Sequence, residues 1–464
     1  MPITLTFSAK ALFSMTHKLS IPVFTVPLFI FSLVFFDVSA AYSAENAPAV
    51  MKIDGDWSVT VEYQGQKTTL SVTPAEIVDV KAEKYDRMPL FDANRTWNAE
   101  MSLRQTRGSE GNASTFSLEP GSVVVRAGAD PNSETFVLDK DYQILPMWCS
   151  VGRTPESGIK ENQPVWVDYR YGKMRIDSVV LTLSGKIEIR EGVPHIMTPE
   201  PPTLANGEKR LGNIWLPVRL EKLHANLLFP ILETEYPEAA KIAGETIAEK
   251  LLPKTMSKLQ NGEKLRIIAW GDSVTVASYL TEYEKNRWQE QFAQRLRERF
   301  PNAEIEMKTE AWGGRGSNNY LTEPSGSEYN FQEKIVDPKP DLVIMEFVND
   351  AGLHGDALDK QYSQILESFQ KIGAEWVILT PHYVRTDWMG LDRERDIDDD
   401  PRPYTQSVRA FTAKNGIAVA EGAKRYGRLW RQGIPYSTLM GNGINHPNAQ
   451  GMKLFADALM EIFP

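Results

Sequence analysis

The chain has 464 residues, more than one hydrophobic core usually serves, so two folded domains are expected. Its composition, 42% hydrophobic and 24% charged residues, is ordinary for a soluble globular protein, and its net charge of −10 gives no electrostatic reason to expect a nucleic-acid or anionic-membrane partner. The single cysteine, Cys149, excludes an intrachain disulfide and any metal site built from paired cysteines.

Residues 1–41 have the pattern of a signal peptide. Basic residues precede an apolar stretch at residues 21–36, and small residues follow up to Ala41. A transmembrane anchor is the alternative, but an apolar core of about 16 residues is shorter than the roughly 20 that span a bilayer. The sequence therefore predicts an exported protein, periplasmic or extracellular, without a stable membrane anchor, and it leaves the oligomeric state open.

Residues 50–235 alternate between apolar and polar side chains in short runs. Residues 57–63, 165–171 and 178–183 are examples, and turn residues separate such runs. Many short strands at this spacing predict an all-β, sandwich-like accessory domain. No catalytic cluster stands out within it.

The period changes after this region. Residues 236–261 carry apolar side chains at helical spacing and predict a helical linker. From residue 262 to residue 464, strand patterns alternate with helical patterns, which predicts an α/β domain with a parallel sheet and helices on both faces. The five predicted strands are residues 265–270, 303–308, 340–347, 375–380 and 417–420.

Polar motifs follow the first three of these strands. Ser273, in Gly-Asp-Ser, comes directly after the first strand, and Gly314 lies in a glycine cluster after the second. Asn349 follows the third strand. Because the carboxyl ends of parallel strands share one edge of a sheet, these residues are expected to meet in one crevice. Read singly, each motif also fits a helix cap or a turn.

A fourth motif precedes the last predicted helix. His446 is followed by Pro447 and Asn448, and a histidine held before a helix in this way is well placed to act as a general base. His354 and His382, which follow the third and fourth strands, are plausible neighbours in the same crevice.

Together these four motifs resemble the SGNH/GDSL hydrolase family over about 200 residues, from residue 263 onward. The resemblance implies a three-layer αβα domain with a flavodoxin-like parallel sheet and the activity of a serine ester hydrolase without a metal or organic cofactor. Ser273 would be the nucleophile and His446 its base. The oxyanion hole would consist of Ser273, Gly314 and Asn349.

The sequence departs from the family pattern at two positions. Phe347 stands where the third block usually opens with glycine. Gly443 stands three residues before the histidine, where the family usually has an aspartate that orients the imidazole. The orienting group is then a neutral one, Asn442 or a backbone carbonyl, or an acid from a distant loop such as Asp387 or residues 396–400. We expect a Ser-His dyad with Asn442 as a possible neutral helper.

The substrate is the least determined property. The resemblance and the appended β-domain favour an O-acyl ester, above all O-acetyl, on a small molecule or glycan. Tyr63, Trp97 or Trp166 could stack on sugar rings or fill the β-domain core. The alternatives are a lipid or aryl esterase, an acyltransferase on the same scaffold, and a non-catalytic glycan-binding protein.

Overall fold

The described part of the protein begins after the predicted signal peptide. The structure, a computed structural model, describes residues 47–94, 102–108, 110–237 and 244–463. The predicted signal peptide and Trp97 lie outside these residues. Within the described ranges, no helix combines the length and the apolar character needed to cross a bilayer.

The first region is rich in strands, as the alternating pattern predicts. Its strands pair antiparallel in small sheets of order β1-β2-β3, β4-β8-β5, β6-β7 and β10-β9-β11-β12. The strands are β1 Val50–Gly55, β2 Ser58–Tyr63, β3 Gln66–Ser71, β4 Ile77–Tyr85, β5 Val124–Arg126, β6 Tyr142–Leu145, β7 Ser150–Arg153, β8 Val165–Gly172, β9 Arg175–Leu181, β10 Ile187–Arg190, β11 Lys209–Leu216 and β12 Leu228–Pro230. We call residues 47–237 the strand-rich region.

The second region contains a parallel sheet of order β14-β13-β15-β16-β17. Its strands are β13 Lys264–Gly271, β14 Glu304–Ala311, β15 Leu342–Glu346, β16 Glu375–Leu379 and β17 Ala418–Ala420. The described α-helices are α1 Ile247–Leu251, α2 Pro253–Asn261, α3 Ser273–Val276, α4 Tyr283–Asn286, α5 Trp288–Arg299, α6 Ser317–Thr322, α7 Gly355–Ile372, α8 Pro403–Asn415, α9 Gly422–Gly427 and α10 Ala449–Met460.

The central strand β13 shows how the sheet divides the core of this region. Ile267 and Ala269 belong to one buried apolar cluster, whereas Ile268 and Trp270 belong to another. Successive side chains of a strand point to opposite faces, so a strand that is apolar throughout is buried on both sides. The prediction of a three-layer α/β domain preceded by a strand-rich domain is confirmed.

The segment predicted as a linker packs into the α/β core. Ala248, Leu252 and Met256, from α1 and α2, are buried in the same cluster as Ile267. The strand-rich region also contacts the α/β domain closely, since buried Asn213 donates a 2.7 Å hydrogen bond to the Gly433 carbonyl. The described residues from Ala47 onward form one compact unit.

Candidate active site

Ser273 begins α3, immediately after β13 ends. A Cβ on Gly271 would lie 2.1 Å from Thr275 Oγ1 and 2.4 Å from the Glu346 carbonyl oxygen, so only glycine fits this turn. Asp272 is the N-cap, and its Oδ1 accepts a 3.0 Å hydrogen bond from the Val274 N–H. The strand-to-helix turn therefore places Ser273 at the carboxyl edge of the sheet, as predicted.

Asn442 holds the loop that carries His446. Its buried Oδ1 accepts the backbone N–H groups of Ile444, Asn445 and His446 at 2.9, 2.9 and 3.0 Å. Its Nδ2 donates to Asn445 Oδ1 at 3.2 Å. The Asn442 side chain thus holds the loop and the backbone of His446.

His382 binds the backbone of the same loop. It is fully buried, and its Nε2 lies 2.7 Å from the Asn445 carbonyl oxygen. Burial, together with the positive charge of Arg402, lowers the pKa of His382 to about 3, so the ring is neutral and Nε2–H donates to that carbonyl. His354, the other crevice candidate, precedes α7 as its N-cap residue.

The structure brings Ser273 and His446 together. The Nε2 atom of His446 lies 3.0 Å from Ser273 Oγ, within hydrogen-bond distance. Tyr279 stacks on the imidazole with ring centres 4.3 Å apart and ring planes within 7°. Tyr279 packs against one face of the imidazole, and Asn442 holds the backbone of His446. The ring therefore has little freedom to rotate away from the serine.

The other ring nitrogen faces the strand-rich region. His446 Nδ1 lies 2.7 Å from Oε2 of Glu110, and both side chains are largely buried, with 18% and 15% of their surface exposed. The expectation of a dyad with Asn442 as neutral helper is therefore wrong. A carboxylate lies beside Nδ1, whereas Asn442 Oδ1 accepts backbone N–H groups of the loop.

The acidic loops considered from the sequence contact other groups. Asp387 pairs with Arg385, and buried Asp400 pairs with Arg402. Glu110 was missed because it lies 336 positions from His446, in a region with no catalytic pattern. The only local signal is a polar, glycine-flanked turn at residues 108–111, which is typical of any surface loop.

Asn349 and Gly314 lie at the same edge of the sheet. Asn349 is exposed, and both its backbone N–H and its Nδ2 donate to Asp272 Oδ2, at 2.9 and 2.7 Å. Gly314 is exposed with φ of +72°, a conformation that favours glycine, and a Cβ on the preceding Gly313 would lie 3.8 Å from Ser273 Cβ. The three predicted blocks therefore converge around the serine.

Buried carboxyl groups lie behind this edge. Burial, with a smaller contribution from the neighbouring Asp350 carboxylate, raises the pKa of Asp272 to about 6. Burial, with the nearby Asp272 charge, raises the pKa of Glu346 well above its ordinary value. Both shifts favour the uncharged form of these carboxyl groups, because a buried charge is poorly solvated.

A family model described as the GDSL-like Lipase/Acylhydrolase family matches residues 269–454. These residues contain the whole constellation except Glu110. The α/β domain is thus similar to GDSL-like lipases and acylhydrolases, and the match confirms the predicted resemblance for this part of the chain. We refer to residues 262–464 as the GDSL domain.

Solved structures similar to the chain include a two-domain esterase active on acetylated mannans, with 17% identity over 46% of this chain and 51% of that chain and a TM-score of 0.37. The chain thus spans about half the length of that esterase. A lipolytic G-D-S-L family protein from Veillonella parvula matches with 17% identity over 43% of this chain and 98% of its own, at a TM-score of 0.31. Protein YxiM from Bacillus subtilis matches 90% of this chain and 88% of its own, with 12% identity and a TM-score of 0.32. No curated protein matches the sequence.

Proposed function

We propose that the protein hydrolyses an O-acyl ester through an acyl-enzyme on Ser273. The observation that carries this proposal is the 3.0 Å separation between Ser273 Oγ and His446 Nε2, at the sheet edge where the family blocks meet. A serine hydroxyl is a weak nucleophile by itself, and a base within hydrogen-bond distance activates it.

In the first half of the reaction, Ser273 Oγ attacks the ester carbonyl carbon and its proton passes to His446 Nε2. The tetrahedral oxyanion then collapses, the bond to the alcohol oxygen breaks, and the alcohol leaves with the proton from His446. In the second half, water gives a proton to His446, attacks the acyl-serine, and releases the carboxylic acid while Ser273 regains its proton.

Backbone N–H groups and one side chain stabilise the oxyanion in this scheme. The donors are the N–H groups of Ser273 and Gly314 and the amide of Asn349. Asp272 holds that amide in place and leaves its second Nδ2–H available to substrate. Loss of one such donor typically costs about 2.7–4 kcal/mol of transition-state stabilisation. The proposed steps use only side chains and backbone groups of the protein, together with the ester and water.

The acyl group we propose is acetyl, and the alcohol is a carbohydrate hydroxyl. A cavity of about 230 Å³ adjoins the site and is lined by Asn349 and Asn445, the residue before His446. Trp388 forms another wall and is 55% exposed, with the Arg385 guanidinium 5.0 Å from its ring centre. An exposed aromatic face beside amide groups suits a sugar ring, which has both apolar faces and hydroxyl edges.

Arg402 adds a hydrogen-bond donor to the same cavity. Its side chain is 7% exposed, and its Nε and Nη2 atoms bind Asp400. Its buried Nη1 has no hydrogen-bond partner within the described part of the chain. A buried donor without a partner is costly, and a small shift of this side chain would let a ligand hydroxyl in the cavity accept a hydrogen bond from it.

The aromatic candidates of the strand-rich region fit this role less well. Tyr63 is buried, with Lys209 Nζ 5.1 Å from its ring centre, and Trp166 is partly buried. We therefore assign sugar stacking to Trp388. We also propose that the protein is exported, on the pattern of residues 1–41.

Replacement of the nucleophile tests the proposed chemistry. Ser273→Ala should abolish hydrolysis of a chromogenic acetate ester and leave the melting temperature nearly unchanged, because the side chain loses only its hydroxyl. The matched control is Ser278→Ala, five residues later at an exposed position, which should retain wild-type activity. Wild-type-like turnover by Ser273→Ala would refute the assignment. A preference of the wild-type protein for long acyl chains would instead favour a lipid esterase.

A further inference from the structure

Position 443, where the family usually has the orienting aspartate, leaves little room for a side chain. Gly443 has φ of +66°, and a Cβ there would lie 3.2 Å from Sδ of Met197. Met197 belongs to the strand-rich region and is 2% exposed. The strand-rich region thus fills the space in which the missing side chain would begin.

The same region presents a tight turn to the His446 loop. Residues Arg107 and Ala113 pair antiparallel at its base, and the Gly108 N–H donates a 2.8 Å hydrogen bond to the Asn112 carbonyl. A Cβ on Gly108 would lie 2.8 Å from Met197 Sδ and 3.2 Å from the Gly441 carbonyl oxygen. This glycine therefore lets the turn approach the catalytic loop closely, with Glu110 inside the turn.

Glu110 directs its carboxylate at the imidazole. Its Oε2 lies 2.7 Å from His446 Nδ1, and its Oε1 is buried without a hydrogen-bond partner among the described residues. Since a carboxylate oxygen only accepts, Nδ1 carries the proton of the neutral ring, and Nε2 is left with the lone pair that faces Ser273.

We infer that Glu110 is the positioning residue of the Ser273-His446 pair, so that the strand-rich region completes the catalytic machinery of the GDSL domain. It selects the tautomer that can accept the serine proton, and it stabilises the imidazolium that forms during attack. This inference rests on the proposed function. It also assigns the strand-rich region a role in catalysis that does not depend on substrate binding.

Three variants of the full chain test the inference. Glu110→Gln should lower kcat for a chromogenic acetate ester by roughly 10²- to 10⁴-fold with little change in KM, because the Gln amide can donate to Nδ1 and select the wrong tautomer. Glu110→Asp keeps a carboxylate on a shorter side chain and should recover part of that loss. The matched control is Glu119→Gln, which removes a half-buried carboxylate of the same region, 3.8 Å from Arg170, and should behave like wild type.

A spectroscopic measurement needs no variant of Glu110. The wild-type protein should show a low-field proton resonance from His446 Nδ1–H, and His446→Ala should lack it. Near-wild-type kcat in Glu110→Gln, or no such resonance in the wild type, would overturn the inference. The proposed function would still stand if Ser273→Ala were inactive in the same assay, whereas activity in Ser273→Ala would refute the proposed function itself.

Discussion

Asn349 donates two hydrogen bonds to one oxygen of Asp272, from its backbone N–H at 2.9 Å and from Nδ2 at 2.7 Å. The other oxygen of Asp272 accepts the Val274 N–H, so one buried carboxyl group ties the turn after β13 to the turn after β15. This relationship explains why Asn349 sits beside Ser273. The Asp272 carboxyl group also lies near the buried Glu346, and its charge contributes to the raised pKa of Glu346.

Glu346→Gln should change how stability depends on pH. Burial raises the pKa of Glu346 well above its ordinary value of 4.5, so the folded protein keeps a proton that the unfolded chain loses. The wild type therefore loses stability as pH rises from that value, and a neutral glutamine removes this loss. Relative to wild type, the variant should gain stability as pH rises above the ordinary glutamate pKa of 4.5, as measured by urea midpoints.

The exposed Glu304 provides the control for this prediction. Glu304 lies at the start of β14 and forms a surface ion pair with Lys264. Glu304→Gln therefore measures how the same substitution changes stability at an exposed position. A stability difference between Glu346→Gln and wild type that stays constant over the whole pH range would contradict the prediction.

Gly443→Ala should impair both stability and catalysis. A residue with a Cβ at φ of +66° costs about 1–2 kcal/mol, and Met197 must also move, since the new Cβ would lie 3.2 Å from its Sδ. Displacement of Met197 should disturb the nearby contact between Glu110 and His446. Urea unfolding and kcat for a chromogenic acetate are the measurements.

Gly185→Ala separates backbone strain from the packing effect. Gly185 has φ of +79° in the turn between β9 and β10, and no atom lies within 4 Å of a Cβ built there. This control should lose stability through strain alone and keep full activity. Equal effects of the two substitutions on kcat would show that Met197 and Gly443 do not matter for the site.

Trp388→Ala should weaken binding of an acetylated oligosaccharide selectively. Loss of an aromatic face worth about 0.5–1.5 kcal/mol corresponds to an increase in KM of roughly 2- to 12-fold. Hydrolysis of p-nitrophenyl acetate should stay unchanged, because a small ester does not need the sugar-stacking wall. Trp388→Phe keeps an aromatic face and should lie between wild type and Trp388→Ala. If the two substrates were affected equally, the cavity would not be a sugar site.

The sequence by itself determined the elements of the GDSL domain and most of its site. The buried strand pattern predicted β13 at residues 265–270, and the structure has it at Lys264–Gly271. Because parallel strands end at one edge, the positions of Ser273 and Asn349 after two such strands were enough to predict that they meet. The short motif around His446 predicted the general base, and the structure places His446 Nε2 3.0 Å from Ser273 Oγ.

Only the tertiary structure decided what contacts the far nitrogen of His446. Glu110 has no motif of its own, and no periodicity links a turn in one region to a loop 336 positions later. Its role depends on how the strand-rich region docks, through Met197 against Gly443 and through Gly108 against Gly441. Such packing depends on the shapes of two surfaces brought together by the whole fold, and neither local sequence contains that information.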